Sequence, residues 1–77
     1  MKIIVLNWID ACASSEWEDI DQAKELHPHA IQSVGHLLYE DEEKITLAMS
    51  WDTEREAVSE CLSVPKKWIS EKKEIEF

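Results

Sequence analysis

Carboxylate side chains are the most abundant groups in this sequence that could do chemistry. The 77 residues contain 17 aspartates and glutamates against 8 lysines and arginines, which gives a net charge of −9. Many of the acids fall in three clusters, at residues 16–21, 40–43 and 52–56. Such clusters can hold a divalent metal, present a surface to a basic partner, or keep a small β protein soluble. None has the ligand spacing and turn glycine of a calcium loop, so we expect no metal and leave the other two interpretations open.

Histidine and cysteine offer two further kinds of chemistry. His27 and His29 are separated by one proline, and with His36 they could place imidazoles near one ion, but zinc needs further ligands. Cys12 with a histidine and Asp10 has the residue types of a nucleophilic site. Cys12 follows an apolar strand sequence, however, where buried structural thiols are common. No glycine-rich phosphate loop or nucleophile elbow occurs, so we expect neither enzymatic activity nor a cofactor.

Four tryptophans dominate the apolar content of the chain, and each can bury on the order of 200 Å². Trp8 and Trp51 are in phase with apolar neighbours, which predicts that both are core residues. Trp17 lies among acids, where it either caps the open end of a barrel or is available to a partner. We favour capping for Trp17, and we expect Trp68 to plug the other end.

The elements that would position these groups are mostly strands. Residues 2–9 are apolar at odd and even positions, which predicts a strand covered on both sides. A capping box formed by Asp19 and Gln22 predicts a short helix at about 20–26. Further strands are predicted at 30–39, 44–51, around 58–64 and at 69–77, with a polar turn at 40–43, another at 52–56 and one helical turn at 65–68.

Two details of the strand pattern bear on the fold. Residues 44–51 alternate, with an apolar face formed by Ile45, Leu47, Met49 and Trp51. Gly35 inside a strand predicts a sharp bend or bulge, as at the corners of small barrels. The sequence therefore predicts one domain over residues 1–77, mainly β with one short helix, folded as a five-stranded SH3-like or Sm-like small barrel.

The charge is unevenly distributed and excludes some partners. Residues 7–60 carry fourteen acids against three basic residues, whereas residues 61–77 carry four lysines against three glutamates. A body this acidic repels nucleic acid and anionic membranes, so we expect neither as a direct partner. The sequence shows no secretory signal or transmembrane stretch, and we expect a cytoplasmic protein with reduced thiols.

Five short motifs are distributed along the chain: Trp-x-Asp-Ala at 8–11, the Trp17–Asp21 segment, Ser-Val-Gly-x-Leu at 33–37, Leu-Ala-x-Ser at 47–50 and Val-Pro-Lys at 64–66 before Ile69. Together they resemble the motifs of small uncharacterised proteins encoded by tailed bacteriophages and prophages. The resemblance spans nearly the whole chain and implies a phage accessory protein of unassigned function, and it offers no catalytic residues to carry over. At position 36, where many of those proteins have an aromatic residue, this chain has a histidine.

Two functional hypotheses follow. The first is a non-enzymatic protein that binds a host protein in the bacterial cytoplasm, as an inhibitor or a mimic of nucleic acid. Its candidate binding residues are Trp17, Glu40, Asp41, Glu42 and Glu43. The alternative is a homo-oligomeric barrel that binds a small nucleotide-like ligand. An anionic ligand would then require lysines 66, 67, 72 and 73 to gather at its site, because the rest of the chain is acidic.

Overall fold

The computed structural model describes residues 1–76, which form one antiparallel sheet of five strands. The strand order β4-β3-β2-β1-β5 leaves β4 and β5 as the outer strands. The mainly β prediction is confirmed, but the sheet is open and a closed barrel is not shown. The predicted end of the last strand, Phe77, lies outside the described residues. The elements are β1 (Ile3–Asp10), α1 (Ile20–Ala23), β2 (His29–Glu40), β3 (Lys44–Asp52), β4 (Ala57–Pro65), a 3-10 turn (Lys66–Trp68) and β5 (Ile69–Ile75).

Strand β2 is shared by two parts of the sheet. Residues 29–36 pair with β1 and residues 36–40 pair with β3, with an irregular register between 37 and 39. Gly35 lies at this changeover, where a Cβ atom would be only 2.8 Å from the carbonyl oxygen of Ala48. Any side chain at position 35 would therefore push against the backbone of β3. The irregularity predicted at Gly35 lies slightly later along the strand, and the close approach of β3 is what requires glycine.

The core lies on one face of the sheet, which we call the inner face. Its half-buried margin includes Leu62 from β4 and Ile69 from β5. Because both outer strands contribute to one cluster, the sheet curls around its inner face. The core prediction for Trp8 is confirmed, and its indole Nε1 donates a hydrogen bond to Ser33 Oγ at 3.0 Å. The buried cluster comprises Ile4, Leu6, Trp8, Ile45, Leu47 and Val64.

The predicted burial of the apolar face of β3 is confirmed for two of its four residues. Ile45 and Leu47 are buried, but Met49 is 63% exposed and Trp51 is only partly buried. Pairing between β3 and β2 ends at Ala48, so the remainder of β3 leaves the sheet together with β4. The core prediction is therefore wrong for Met49, because strand alternation continues past the point where the inner face ends.

The chain is extended for its size. Its radius of gyration is 15.9 Å and its longest dimension is 52 Å. A compact chain of this length has a radius of gyration of about 11–12 Å. The accessible surface is 6271 Å², which is about 1,400 Å² more than a compact monomer of this mass exposes. Part of the excess comes from the segment between β1 and β2, in which every residue from 13 to 28 is exposed.

Candidate functional site

Two acidic connections lie at the same end of the sheet. Strands β1 and β3 both run antiparallel to β2, so the segment after β1 and the turn after β3 leave the sheet at one end. Residues 11–28, which we call the protruding segment, carry five acids and one lysine. Residues 52–56 carry three acids and one arginine. We call the two together the acidic end, and their charge favours a positively charged partner.

The protruding segment exposes its apolar side chains. Trp17 is fully exposed, Ile20 is 75% exposed and Leu26 is 41% exposed. Together with Ala23 they recur every third residue, which places those within the helical turns near one face. Helix α1 buries none of its residues. The prediction that Trp17 caps a barrel end is therefore wrong, because no strand of the sheet covers it.

The helical turns are held mainly by backbone hydrogen bonds, with one exposed ion pair between Asp21 and Lys24 at 4.0 Å. The amide of Ala23 donates to the carbonyl of Asp19 at 2.9 Å, and the amide of Leu26 donates to the carbonyl of Ala23 at 3.2 Å. Asp19 is the N-cap, but its side chain makes no capping hydrogen bond. The predicted helix is present, whereas the predicted capping box is not formed. A helix this short without tertiary contacts is marginal in water, so packing against another molecule would stabilise it.

The second predicted acidic site, residues 40–43, is partly occupied by the chain's own cations. Glu40 lies 2.9 Å from Lys66 Nζ and 3.2 Å from Lys72 Nζ. Hydrogen bonds, first from Lys66 and then from Lys72, hold the pKa of Glu40 below its ordinary value. These contacts join the end of β2 to the 3-10 turn and β5. Glu40 therefore stabilises the curl of the sheet.

Asp41 has a structural part in the same turn. Its Oδ1 accepts hydrogen bonds from the amides of Glu43 at 2.8 Å and Lys44 at 2.9 Å. These backbone donors lower the pKa of Asp41. The raised pKa of Tyr39 has its largest cause in a hydrogen bond with Asp41. Of the four predicted residues in this turn, only Glu42 and Glu43 remain fully exposed.

The five sequence-predicted binding residues do not form one site. Trp17 precedes β2, whereas the Glu40–Glu43 turn follows it, so the twelve residues of β2 separate them. Of the four lysines that an anionic ligand would require, only Lys66 and Lys72 lie together. Lys67 lies beside Glu42 and Glu43, and Lys73 is on the opposite face of β5 from Lys72. Both Lys66 and Lys72 are paired with the carboxylate of Glu40 in the pocket that they line.

The turn after β3 has a groove that the sequence pattern did not reveal. Arg55 Nε donates to Asp52 Oδ2 at 2.7 Å, and this bond lowers the pKa of Asp52. The alternation of β3 had suggested that Trp51 was an ordinary core residue, yet its ring packs edge-on against His36 with centroids 5.9 Å apart. The groove measures about 340 Å³ and is lined by Ser50, Trp51, Asp52, Arg55, Ala57, Val58 and Ser59.

Metal-ligand clusters, membrane-spanning helices and free thiols are the remaining chemical features to consider in the described part of the chain. Within residues 1–76, no group of three histidine, cysteine or acidic side chains is arranged to hold a metal ion. None of the helices in that range has the length and apolar character needed to cross a membrane. Cys12 is partly buried and Cys61 is exposed, and both are free thiols.

No family model, curated protein or solved structure matches the chain. The fold and the exposed surfaces described above characterise the molecule. It is a small β protein with a curled open sheet, and the most exposed large apolar side chain among residues 1–76, that of Trp17, lies on an acidic segment outside the core.

Proposed function

We propose that this chain is a non-enzymatic protein-binding module that contacts its partner through the protruding segment. The observation that carries this proposal is the complete exposure of Trp17 on a segment whose helix buries nothing. Tryptophan is strongly enriched among residues that dominate binding energy at protein interfaces. Exposed Trp17 and Ile20, three residues apart, supply an apolar anchor. The acidic side chains on either side of them give the anchor a negatively charged rim.

The chemistry of the segment defines the kind of partner. Ile20 and Ala23 in the helix, with Trp17 before it and Leu26 after it, present exposed apolar side chains that fit a groove on another protein. The carboxylates around them favour a groove rimmed by lysine and arginine and accelerate encounter by electrostatic steering. Steering between exposed charges is screened beyond about 8–10 Å at physiological salt. The association rate should therefore fall as the salt concentration rises.

The proposed partner of the protruding segment is a protein of a bacterial host. The resemblance to small phage proteins supports a phage-type accessory protein that acts on a host protein in the bacterial cytoplasm. A protein that normally binds nucleic acid has the required basic surface, and carboxylates of the acidic end would occupy the places of phosphates. The chain would then act as an inhibitor or a mimic of nucleic acid.

We also propose that the curled sheet is a small barrel of the SH3-like or Sm-like type. Support comes from the division of β2 between β1 and β3 and from the ion pairs that join Glu40 to the 3-10 turn and β5. The 3-10 turn before the last strand supports it as well. Proton–proton contacts between side chains of β4 and β5 across the inner face in solution spectra would support a barrel of this kind, which leaves the backbone edges of both strands unpaired, and a complete lack of them would refute it.

The binding proposal is tested by affinity capture from a bacterial host lysate with the whole chain immobilised. Wild type is compared with a Trp17→Ala/Ile20→Ser variant and with a Glu42→Gln/Glu43→Gln control. We expect a protein captured by wild type and control but lost with the first variant. Capture that survives loss of Trp17 and Ile20 but fails with the Glu42 and Glu43 changes would move the site to the opposite end of β2 and refute the proposal.

A further inference from the structure

The two outer edges of the sheet are protected to different degrees. Strand β5 carries four charged residues among its seven, at positions 71–74. Strand β4 carries one, Glu60, among its nine residues, and its proline is the last residue of the strand. Charged side chains and proline are the usual means by which proteins prevent an edge strand from pairing with another chain. The edge of β4 is therefore open to strand addition and that of β5 is not.

We infer that β4 pairs antiparallel with β4 of a second copy of this chain, about a two-fold axis at Cys61. In this register Cys61 lies opposite its own counterpart, Ser59 lies opposite Ser63, and Val58 lies opposite Val64. Directly opposed residues in antiparallel strands contact one another, and these pairs match in polarity. An axis at Glu60 would place two like charges opposite each other, which is destabilising. The pairing is isologous and closes as a dimer.

The register within one copy supports this position for the axis. Cys61 ends a row of directly opposed residues that crosses all five strands on the outer face of the sheet. Two such rows would meet at the axis and produce one continuous sheet of ten strands. The row within each copy consists of Ile75, Ile3, His36, Ala48 and Cys61.

One irregularity lies beside the axis. Glu60 has a positive φ of 54°, and the pair it would form with Met49 is missing from the ladder. Residues on either side of Glu60 pair with β3 in the same register, so the strand continues in line. In the dimer Glu60 would lie opposite Leu62, the one pair that does not match in polarity. The residues on both sides of Glu60 still offer their outward backbone groups to the second copy.

The exposed area is consistent with a second copy on this edge. The chain exposes about 1,400 Å² more than a compact monomer of its mass. A standard protein interface removes about 800 Å² from each partner. An excess of this size accommodates one such interface, and residues 57–61 and 63 of β4 are exposed. This inference is independent of the proposed function, since Trp17 and β4 are separate surfaces.

The test uses the exposed thiol of Cys61 as a reporter. Opposed Cα atoms in an antiparallel pair are about 4.5–5.5 Å apart, which lies within the range of disulfides. A Cys12→Ser variant, which keeps only Cys61, is treated with copper phenanthroline in air. The two thiols lose two electrons and two protons to oxygen and form one disulfide. We expect efficient conversion to a covalent dimer at micromolar protein, and a Cys61→Ser variant retaining Cys12 should give none.

Mass in solution supplies the second measurement. We expect wild type to sediment at twice the chain mass of 9.0 kDa. Cys61→Lys and, separately, Ser59→Lys should sediment as folded monomers, because each places a charge on the β4 edge. Glu71→Lys on the β5 edge should stay dimeric. A monomeric wild type, a larger ring, or a dimer that survives both β4 substitutions with folded circular dichroism spectra would overturn the inference.

Discussion

Trp8 and Trp17 are nine positions apart and have opposite environments. Trp8 is 8% exposed and donates a hydrogen bond to Ser33, whereas Trp17 is completely exposed. Trp8 belongs to a strand whose alternate residues fill the inner face, and Trp17 belongs to a segment in which every residue from 13 to 28 is exposed. The sheet and the protruding segment therefore have different roles. The sheet stabilises the fold, and the protruding segment holds apolar surface that the fold does not use.

The largest expected contrast is between alanine substitutions of these two tryptophans. Trp8→Ala should cost about 3–5 kcal/mol of unfolding free energy through the cavity it leaves. This is a large share of the total stability of a small domain, and the variant should be mostly unfolded at 37 °C. Trp17→Ala should change stability by less than about 0.5 kcal/mol. Urea unfolding followed by circular dichroism measures both, and similar losses would contradict the comparison.

A second test concerns the point where β2 passes from β1 to β3. Gly35→Ala places a methyl group against the carbonyl oxygen of Ala48, which belongs to rigid backbone. We expect a loss of about 1–3 kcal/mol, typical of overpacking. Exposed Ala30→Ser in the same strand is the control and should change stability by less than about 0.5 kcal/mol. If the melting temperature of the Gly35→Ala variant were unchanged, the close approach of β3 would not limit this position.

The third test uses acid. Because the pKa of Glu40 is lowered in the folded state, its ion pairs stabilise the fold above its ordinary value of 4.5, and this contribution is lost as the pH falls below it. Glu40→Gln should cost about 1 kcal/mol at pH 7, since both pairs are partly exposed to solvent. At pH 3 the difference from wild type should shrink. Glu42→Gln is the matched control, and a cost for Glu40→Gln that is independent of pH would contradict this account.

The smallest expected effect is a gain. Glu56 closes the turn between β3 and β4 with a φ of 52°, a left-handed conformation that disfavours side chains. Glu56→Gly should therefore stabilise the protein by about 0.5–1 kcal/mol. Glu54→Gly in the same turn has no such strain to relieve and should be neutral or destabilising. Thermal unfolding distinguishes the two, and equal shifts would show that strain at Glu56 is unimportant.

The sequence predicted the strands better than the site, for physical reasons. Alternation and turn residues are local, so the boundaries of β3 and the turn before β5 could be placed closely. The extent of the inner face depends on where β2 and β3 part, which no local pattern reveals, and Met49 was misplaced for that reason. The partner of Glu40 is equally non-local, because Lys66 and Lys72 follow it by more than twenty residues. Trp17 was identified as a candidate, but its exposure required the structure.

The most direct test of the account is amide hydrogen exchange of the chain, free and in complex with its captured partner. The free protein should exchange rapidly over the protruding segment, where few backbone hydrogen bonds occur, and slowly over β1 and β3. Binding should slow exchange at residues 11–28, with little change at 40–43. Protection confined to the 40–43 turn, with the protruding segment still exchanging as in the free chain, would contradict the central claim.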